Sequence, residues 1–256
     1  MKKFFAALLI LLSTVVYGHF LLLLNEEKSD AVFLPILTFH HLRDYSSQNP
    51  KDLEYLYSFS PKKFEAFLQF FQDNGIETLT FFDLQEILKG KKSWPKKSVM
   101  LNFDDGFTDH YSVAFPLLKK YEKKATFFII SGKPSQDAGY ANWEQLKEMV
   151  ADGQEIAAHT VTHPNLPSLS ESEIMAEISE SKITIEEKLQ TSVVSFAYPQ
   201  GEYDNRSLET VADLFLFGRT TIPGKYFSEK KRYEIPAVIV PPTADIKLLE
   251  HWFPQS

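Results

Sequence analysis

Two adjacent carboxylates, Asp104 and Asp105, close an apolar run in which Val99, Leu101 and Phe103 alternate with other residues, and Gly106 follows them directly. That alternation reads as a strand and the glycine permits a sharp turn, so the acids sit at a strand end. Successive strand side chains point to opposite sides, so the two acids take different jobs unless the backbone bends. One would bind a metal and the other handle a proton. Further on, His159 and His163 follow the small apolar residues Ile156, Ala157 and Ala158. If this segment makes one helical turn, both rings lie on one face. Two imidazoles with one carboxylate are a usual ligand set for a catalytic zinc that keeps a position for water. Each motif alone is weak, since an Asp-Asp-Gly turn is most often only a turn. Their pairing, after two strand-like runs, carries the information.

The chain of 256 residues is long enough for one large domain, and a barrel of alternating strands and helices fits that size. A net charge of −7 argues against a nucleic-acid partner, which needs clustered Lys and Arg to neutralise phosphates. With no cysteine, disulfides and thiolate metal sites are excluded.

Lys2 and Lys3 precede an apolar run, residues 4–24, that carries no charge apart from His19. As a helix it would reach about 30 Å, enough to cross a bilayer core, with the lysines on the cytoplasmic side. Val16, Tyr17 and Gly18 make a tolerable cleavage site, yet the run continues through Phe20 to residue 24, which suits an uncleaved anchor better. Residues 1–24 are therefore expected to be a membrane anchor or signal peptide, 25–32 a linker, and 33–256 the domain. That places the domain outside the cytoplasm, anchored at the cell surface or secreted.

Within the domain, residues 34–41 read as the first strand, ending in His40 and His41. Residues 45–58 read as a loop able to flank a site. Ser60 and Pro61 open a helix with Phe64, Phe67, Leu68 and Phe71 on its apolar stripe, closed by Gly75. Residues 78–81 are expected as a strand, 82–88 and 108–124 as helices, and 125–130 as a strand apolar on both faces, as in parallel sheets. Asn142 caps a helix that leads into the histidine strand, and Ser170 with Glu173 forms a capping box for a helix to about residue 190. Residues 193–197 form the next strand. One more helix and two more strands follow, giving about eight strands alternating with about six helices, a parallel α/β arrangement.

The segments Asn102 to Phe107, His159 to Leu166 and Ser195 to Gly201 resemble, in order and spacing, the first three motifs of the polysaccharide deacetylases, the NodB-homology or carbohydrate esterase 4 family. The resemblance covers roughly residues 33–250. It implies a distorted, incomplete (β/α) barrel and a metal-dependent N-deacetylase. Asp105, His159 and His163 would hold a divalent metal, zinc by the nitrogen-rich set, and Asp104 would be the base. The backbone N–H of Tyr198 would stabilise the oxyanion. In the poly-β-1,6-N-acetylglucosamine deacetylases of the IcaB and PgaB type, the catalytic histidine motif stands near the N-terminus. By that match His40, as an imidazolium, is the acid that protonates the departing amine. The implied partner is an N-acetylglucosamine-containing polysaccharide. The arginine that many relatives place before the third motif has no counterpart here, and Arg219 is the nearest basic candidate to tune Asp104. Two other readings stand beside this one: a deacetylase of chitooligosaccharides or peptidoglycan, and a membrane-tethered glycan-binding protein without turnover.

Overall fold

Eight strands run parallel in one curled sheet: β1 (Ile36–Phe39), β2 (Glu77–Leu79), β3 (Ser98–Asp105), β4 (Thr126–Ile129), β5 (Glu155–Ala158), β6 (Ser195–Ala197), β7 (Phe217–Arg219) and β8 (Val238–Ile239). Their spatial order is β7-β6-β5-β4-β3-β1-β8, with β2 beside the first half of β3. The two edge strands share no ladder; β7 instead bonds to the chain just before β8, through a bridge between Arg219 and Ile235 and neighbouring backbone bonds, which makes the sheet the distorted, incomplete barrel that the motifs imply. The structure, a computed structural model, describes residues 31–254 other than 48 and 50. The expected anchor or signal helix of residues 1–24 lies outside them. Among the described residues no helix is long and apolar enough to cross a membrane. Val32, the last residue of the expected linker, already pairs antiparallel with Phe227, and Phe33 with Tyr226.

Strand parity divides the buried residues into two layers. Leu37, Leu101, Phe103, Phe127, Ile156 and Phe196 face outward and pack under the helices α1 (Pro61–Asp73), α2 (Phe81–Leu88), α3 (Phe115–Lys120), α4 (Trp143–Ala151), α5 (Glu171–Leu189), α6 (Asn205–Leu214) and α7 (Ile246–Trp252), except that α2 belongs to the other layer. Ile36, Met100, Phe128, Ala157, Ala197 and Phe217 form that second layer inside the curl, together with Phe81, Leu84 and Ile87 of α2. The stripe on α1 is buried as expected, each aromatic contributing about 2 kcal/mol of transfer free energy. At the start of α5, Glu173 reaches back to the Ser170 N–H at 2.8 Å.

Several elements differ from the sequence reading, among them the expected loop over 45–58, which carries a short helix, Leu53–Leu56, and a two-residue strand, Ser58–Phe59, that pairs with His41–Leu42. Thr80 is not in a strand but caps α2 with Asp83, because its hydroxyl can satisfy a free helix N–H. The helix expected over 108–124 is a π-helical turn, His110–Ala114, followed by α3, which stops at Lys120. Pro116 has no N–H to give the preceding turn, so the regular bond pattern fails there.

Candidate metal centre and active site

The strands end on one side of the sheet, and their ends line a cavity of about 340 Å³ that includes His40, His41, Asp104, Asp105, His159, His163, Tyr198 and Gln200. All six residues singled out from the sequence are thus brought to one place. Parity alone would aim Asp104 inward and Asp105 outward. Asp105 has φ 78° and Gly106 φ 86°, so the backbone turns there and brings the second carboxylate back over the mouth. A Cβ on Gly106 would lie 3.0 Å from Ile129 Cγ2, so both the conformation and the space require glycine.

The two histidines meet without a helix. After β5 the chain makes an irregular turn with Thr160 at φ 66° and His163 at φ 64°. Glu177 of α5 holds that turn, accepting the N–H of Val161 and of Thr162 at 2.9 Å each and the Thr162 hydroxyl at 2.7 Å. Inside it, the His163 N–H donates to Thr160 Oγ1 at 2.9 Å. The expectation of one helical turn is therefore corrected: the i, i+4 spacing places both rings on one side by a carboxylate-tied loop.

Asp105, His159 and His163 offer ligand atoms all within 4.8 Å of one another. Nε2 of each histidine lies 3.6 Å from Asp105 Oδ1. A tetrahedral ion with bonds of about 2.1 Å separates its ligands by about 3.4 Å, so the set fits a small divalent cation. His159 Nδ1 donates to the Ala197 carbonyl at 2.7 Å, which fixes the ring and leaves Nε2 for the ion. Burial lowers His159 to about 3 and lowers His163 as well, so both are neutral, as ligands must be. Burial, and then the charge of Asp104, lifts Asp105 to about 7 without the ion.

Asp104 lies beneath this triad. The Nη2 of Arg219 donates to its Oδ1, and Arg219 is fully buried over the face of Phe128. Burial alone would push the Asp104 carboxyl up, but Arg219, with His159 and His40 behind it, outweighs that and holds it below the usual range. Arg219 is thus the tuning group that no residue before the third motif supplies. The sequence offered it only as the nearest cation.

Two expectations are corrected. The Tyr198 N–H donates to the Arg219 carbonyl at 3.1 Å, because the parallel ladder of β6 and β7 runs one residue past β6, so it is not free for an oxyanion. The Tyr198 ring is buried and its hydroxyl donates to the Tyr233 carbonyl at 3.1 Å. The following turn is closed by the N–H groups of Gly201 and Glu202, while Gln200, at φ 60°, lines the cavity. His40 stands beside Tyr57 with ring centroids 4.5 Å apart, and its Nδ1 is buried without a partner. Burial lowers it to about 4, against the pull of Asp104, so at neutral pH it is uncharged and not the imidazolium expected of the acid. Sequence reasoning left His41 without a role and passed over Asp109 and His110, whose contacts are with the end of β1.

Known proteins are similar to this chain in sequence and fold. A family model described as polysaccharide deacetylase matches residues 91–216. YxkH of Bacillus subtilis (strain 168), itself assigned to the polysaccharide deacetylases, is 34% identical over 211 residues, covering 82% of this chain and 72% of that protein. The poly-β-1,6-N-acetyl-D-glucosamine N-deacetylase of Staphylococcus aureus (strain MRSA252) is 29% identical over 77% of this chain and 72% of its own. Among solved structures, the Streptococcus pyogenes deacetylase PplD in complex with acetate superposes with a TM-score of 0.80 at 30% identity, over 88% of this chain and all of that one. At 34% identity over most of both chains, with a matching family model and a superposable solved deacetylase, the chain belongs to the polysaccharide deacetylase family, hydrolases of carbon–nitrogen bonds other than peptide bonds, whose members generally depend on a metal ion.

Proposed function

We propose that this protein removes acetyl groups from the N-acetylglucosamine residues of an extracellular polysaccharide, poly-β-1,6-N-acetylglucosamine, with a zinc ion held by Asp105, His159 and His163. The observation that carries the reading is the separation of roles at the mouth. Three side chains converge on one point, while Asp104 is held apart from them by Arg219. The substrate rests on the histidine at the end of β1 and on the name of the staphylococcal relatives. The apolar run at residues 4–24 supports a location of the domain on the outer side of a membrane.

A divalent cation at the triad would acidify the attacking water and polarise the acetamide carbonyl. Asp104, kept ionised by Arg219, accepts the proton of that water. Gln200, at φ 60° on the cavity wall, takes the place of Tyr198 as the candidate donor to the carbonyl oxygen as its charge grows. When the carbon–nitrogen bond breaks, its electron pair stays on nitrogen, and His40 delivers to it the proton first taken by Asp104. His40 is neutral at rest, so it must gain that proton within the cycle. Its low affinity for the proton then makes it a ready donor.

Acetate release from β-1,6 oligomers, β-1,4 oligomers and muropeptides, each with chelator and with zinc restored, tests the proposal. Release from the β-1,6 series above the others, lost with chelator, is expected. Preference for β-1,4 oligomers or muropeptides would move the substrate. Zinc binding with no acetate from any of them would favour the glycan-binding reading.

A further inference from the structure

The turn that follows the paired acids does more than leave the site. Asp109 Oδ2 accepts from His41 Nδ1 at 2.8 Å, and the Asp109 carboxylate also accepts the N–H of Leu42. His110 Nε2 lies 2.5 Å from the His40 carbonyl oxygen, so that nitrogen carries the proton and donates. Burial lowers His110, in keeping with a neutral ring in that tautomer. Its ring is boxed by Phe103, Phe107 and Phe127, with centroids 5.3 to 5.8 Å away. His41 lies flat on Phe107, with centroids 3.8 Å apart and an interplanar angle of 22°. The contacts all come from a chain segment that is π-helical from His110 on, a wide turn of a kind found often at functional sites. The end of β1 is thereby gripped at the backbone of one histidine and at the ring of the next.

We propose that Asp109 and His110 are positioning residues that fix His40 and His41 for protonation of the leaving amine, with no part in holding the ion or in the attack of water. This rests on the reading of the site as an N-deacetylase. The step it governs is breakage of the carbon–nitrogen bond, in which nitrogen keeps the electron pair and gains the imidazole proton while acetic acid departs. An ester with a phenolate leaving group needs the same attack and no such proton, because the phenolate is stable as an anion.

The test compares, in the zinc-loaded enzyme, acetate release from an N-acetylglucosamine oligomer with hydrolysis of p-nitrophenyl acetate. Asp109→Asn and His41→Gln break the contact from either side, and His110→Gln breaks the other. The amide-to-ester rate ratio is expected to fall by about 10- to 100-fold in each, with zinc content kept. The double variant Asp109→Asn/His41→Gln should be no worse than either alone, because both remove one contact. His110 is buried and its variant is the one at risk of failing to fold, in which case His41→Gln, at a partly exposed position, carries the test. Amide and ester rates falling in parallel, or neither falling, would overturn the proposal. Failure of the underlying reading looks different: the unmodified enzyme would hydrolyse the ester and release no acetate from any N-acetylated sugar.

Discussion

The curled sheet buries one acid at each end, and the two behave in opposite ways. At the mouth, Asp104 is held below the ordinary carboxylate range by Arg219. At the floor, Glu155, the first residue of β5, is equally buried and is lifted to about 7. Glu155 does not lack partners: it accepts the N–H of Phe81 at 2.7 Å and of Phe82 at 3.2 Å, the Thr126 hydroxyl at 3.2 Å and the Ser195 hydroxyl at 3.0 Å. All four donors are neutral. Four hydrogen bonds do not offset burial of the charge, whereas a guanidinium with His159 and His40 behind it does. The floor acid ties α2, β4 and β6 to β5 and needs no particular charge. On the proposed mechanism, the mouth acid must stay ionised to work.

If that division holds, substitutions at the mouth remove turnover, while those at the floor move only stability. The largest effect is expected for His159→Ala, with acetate release at background and zinc content, measured on purified protein, falling from about one ion per chain to near zero. Asp104→Asn should keep its zinc and lose about 10²- to 10⁴-fold in kcat, as removal of a general base does. An Asp104→Asn enzyme with full turnover would end the assignment of the base and, with it, the contrast between the two acids.

Arg219→Met sharpens the comparison, because it turns the mouth acid into a copy of the floor acid. Arg219 is fully buried, and removing one partner of a buried pair costs about 3–5 kcal/mol, readable by urea unfolding at pH 7. The pH dependence should also change sign. In the unmodified protein the depressed Asp104 contributes stability that is present above the unfolded value of 3.8 and lost as pH falls through its folded value. Without Arg219 burial prevails, so Asp104 titrates above 3.8 and stability falls as pH rises. The acid limb of kcat/KM should move upward with it.

What the sequence made legible was local. The α1 stripe, the β3 alternation and the Ser170–Glu173 cap each depend on residues a few positions apart. The site was legible as residue types, but the means of bringing them together was not. His159 and His163 converge because Glu177 ties their turn, and no spacing rule links a loop to a carboxylate in the following helix. Asp104 and Arg219 lie on strands four apart in the sheet order and meet only because the sheet curls. Pro116 was a readable signal against a continuous helix over 108–124, and it also marks the turn that carries Asp109 and His110.

The smallest effect tests the floor itself. In Glu155 the folded state binds its proton more tightly than the unfolded chain does, with values of about 7 and 4.5. Below pH 4.5 both states are protonated and the residue makes no pH-dependent contribution. Between 4.5 and 7 the unfolded chain ionises first, so stability falls as pH rises, by on the order of 3 kcal/mol in total, and levels off above. Glu155→Gln keeps an oxygen to accept the α2 N–H groups and carries no charge. Its unfolding free energy should lack that decline, leaving it at least as stable as the parent at pH 7, while acetate release and zinc content stay within about twofold because the substitution lies at the opposite strand ends from the chemistry. A decline of the same size in Glu155→Gln would mean that another group titrates in this window. A large loss of turnover would mean that the two ends of the sheet are coupled through the polar residues between them.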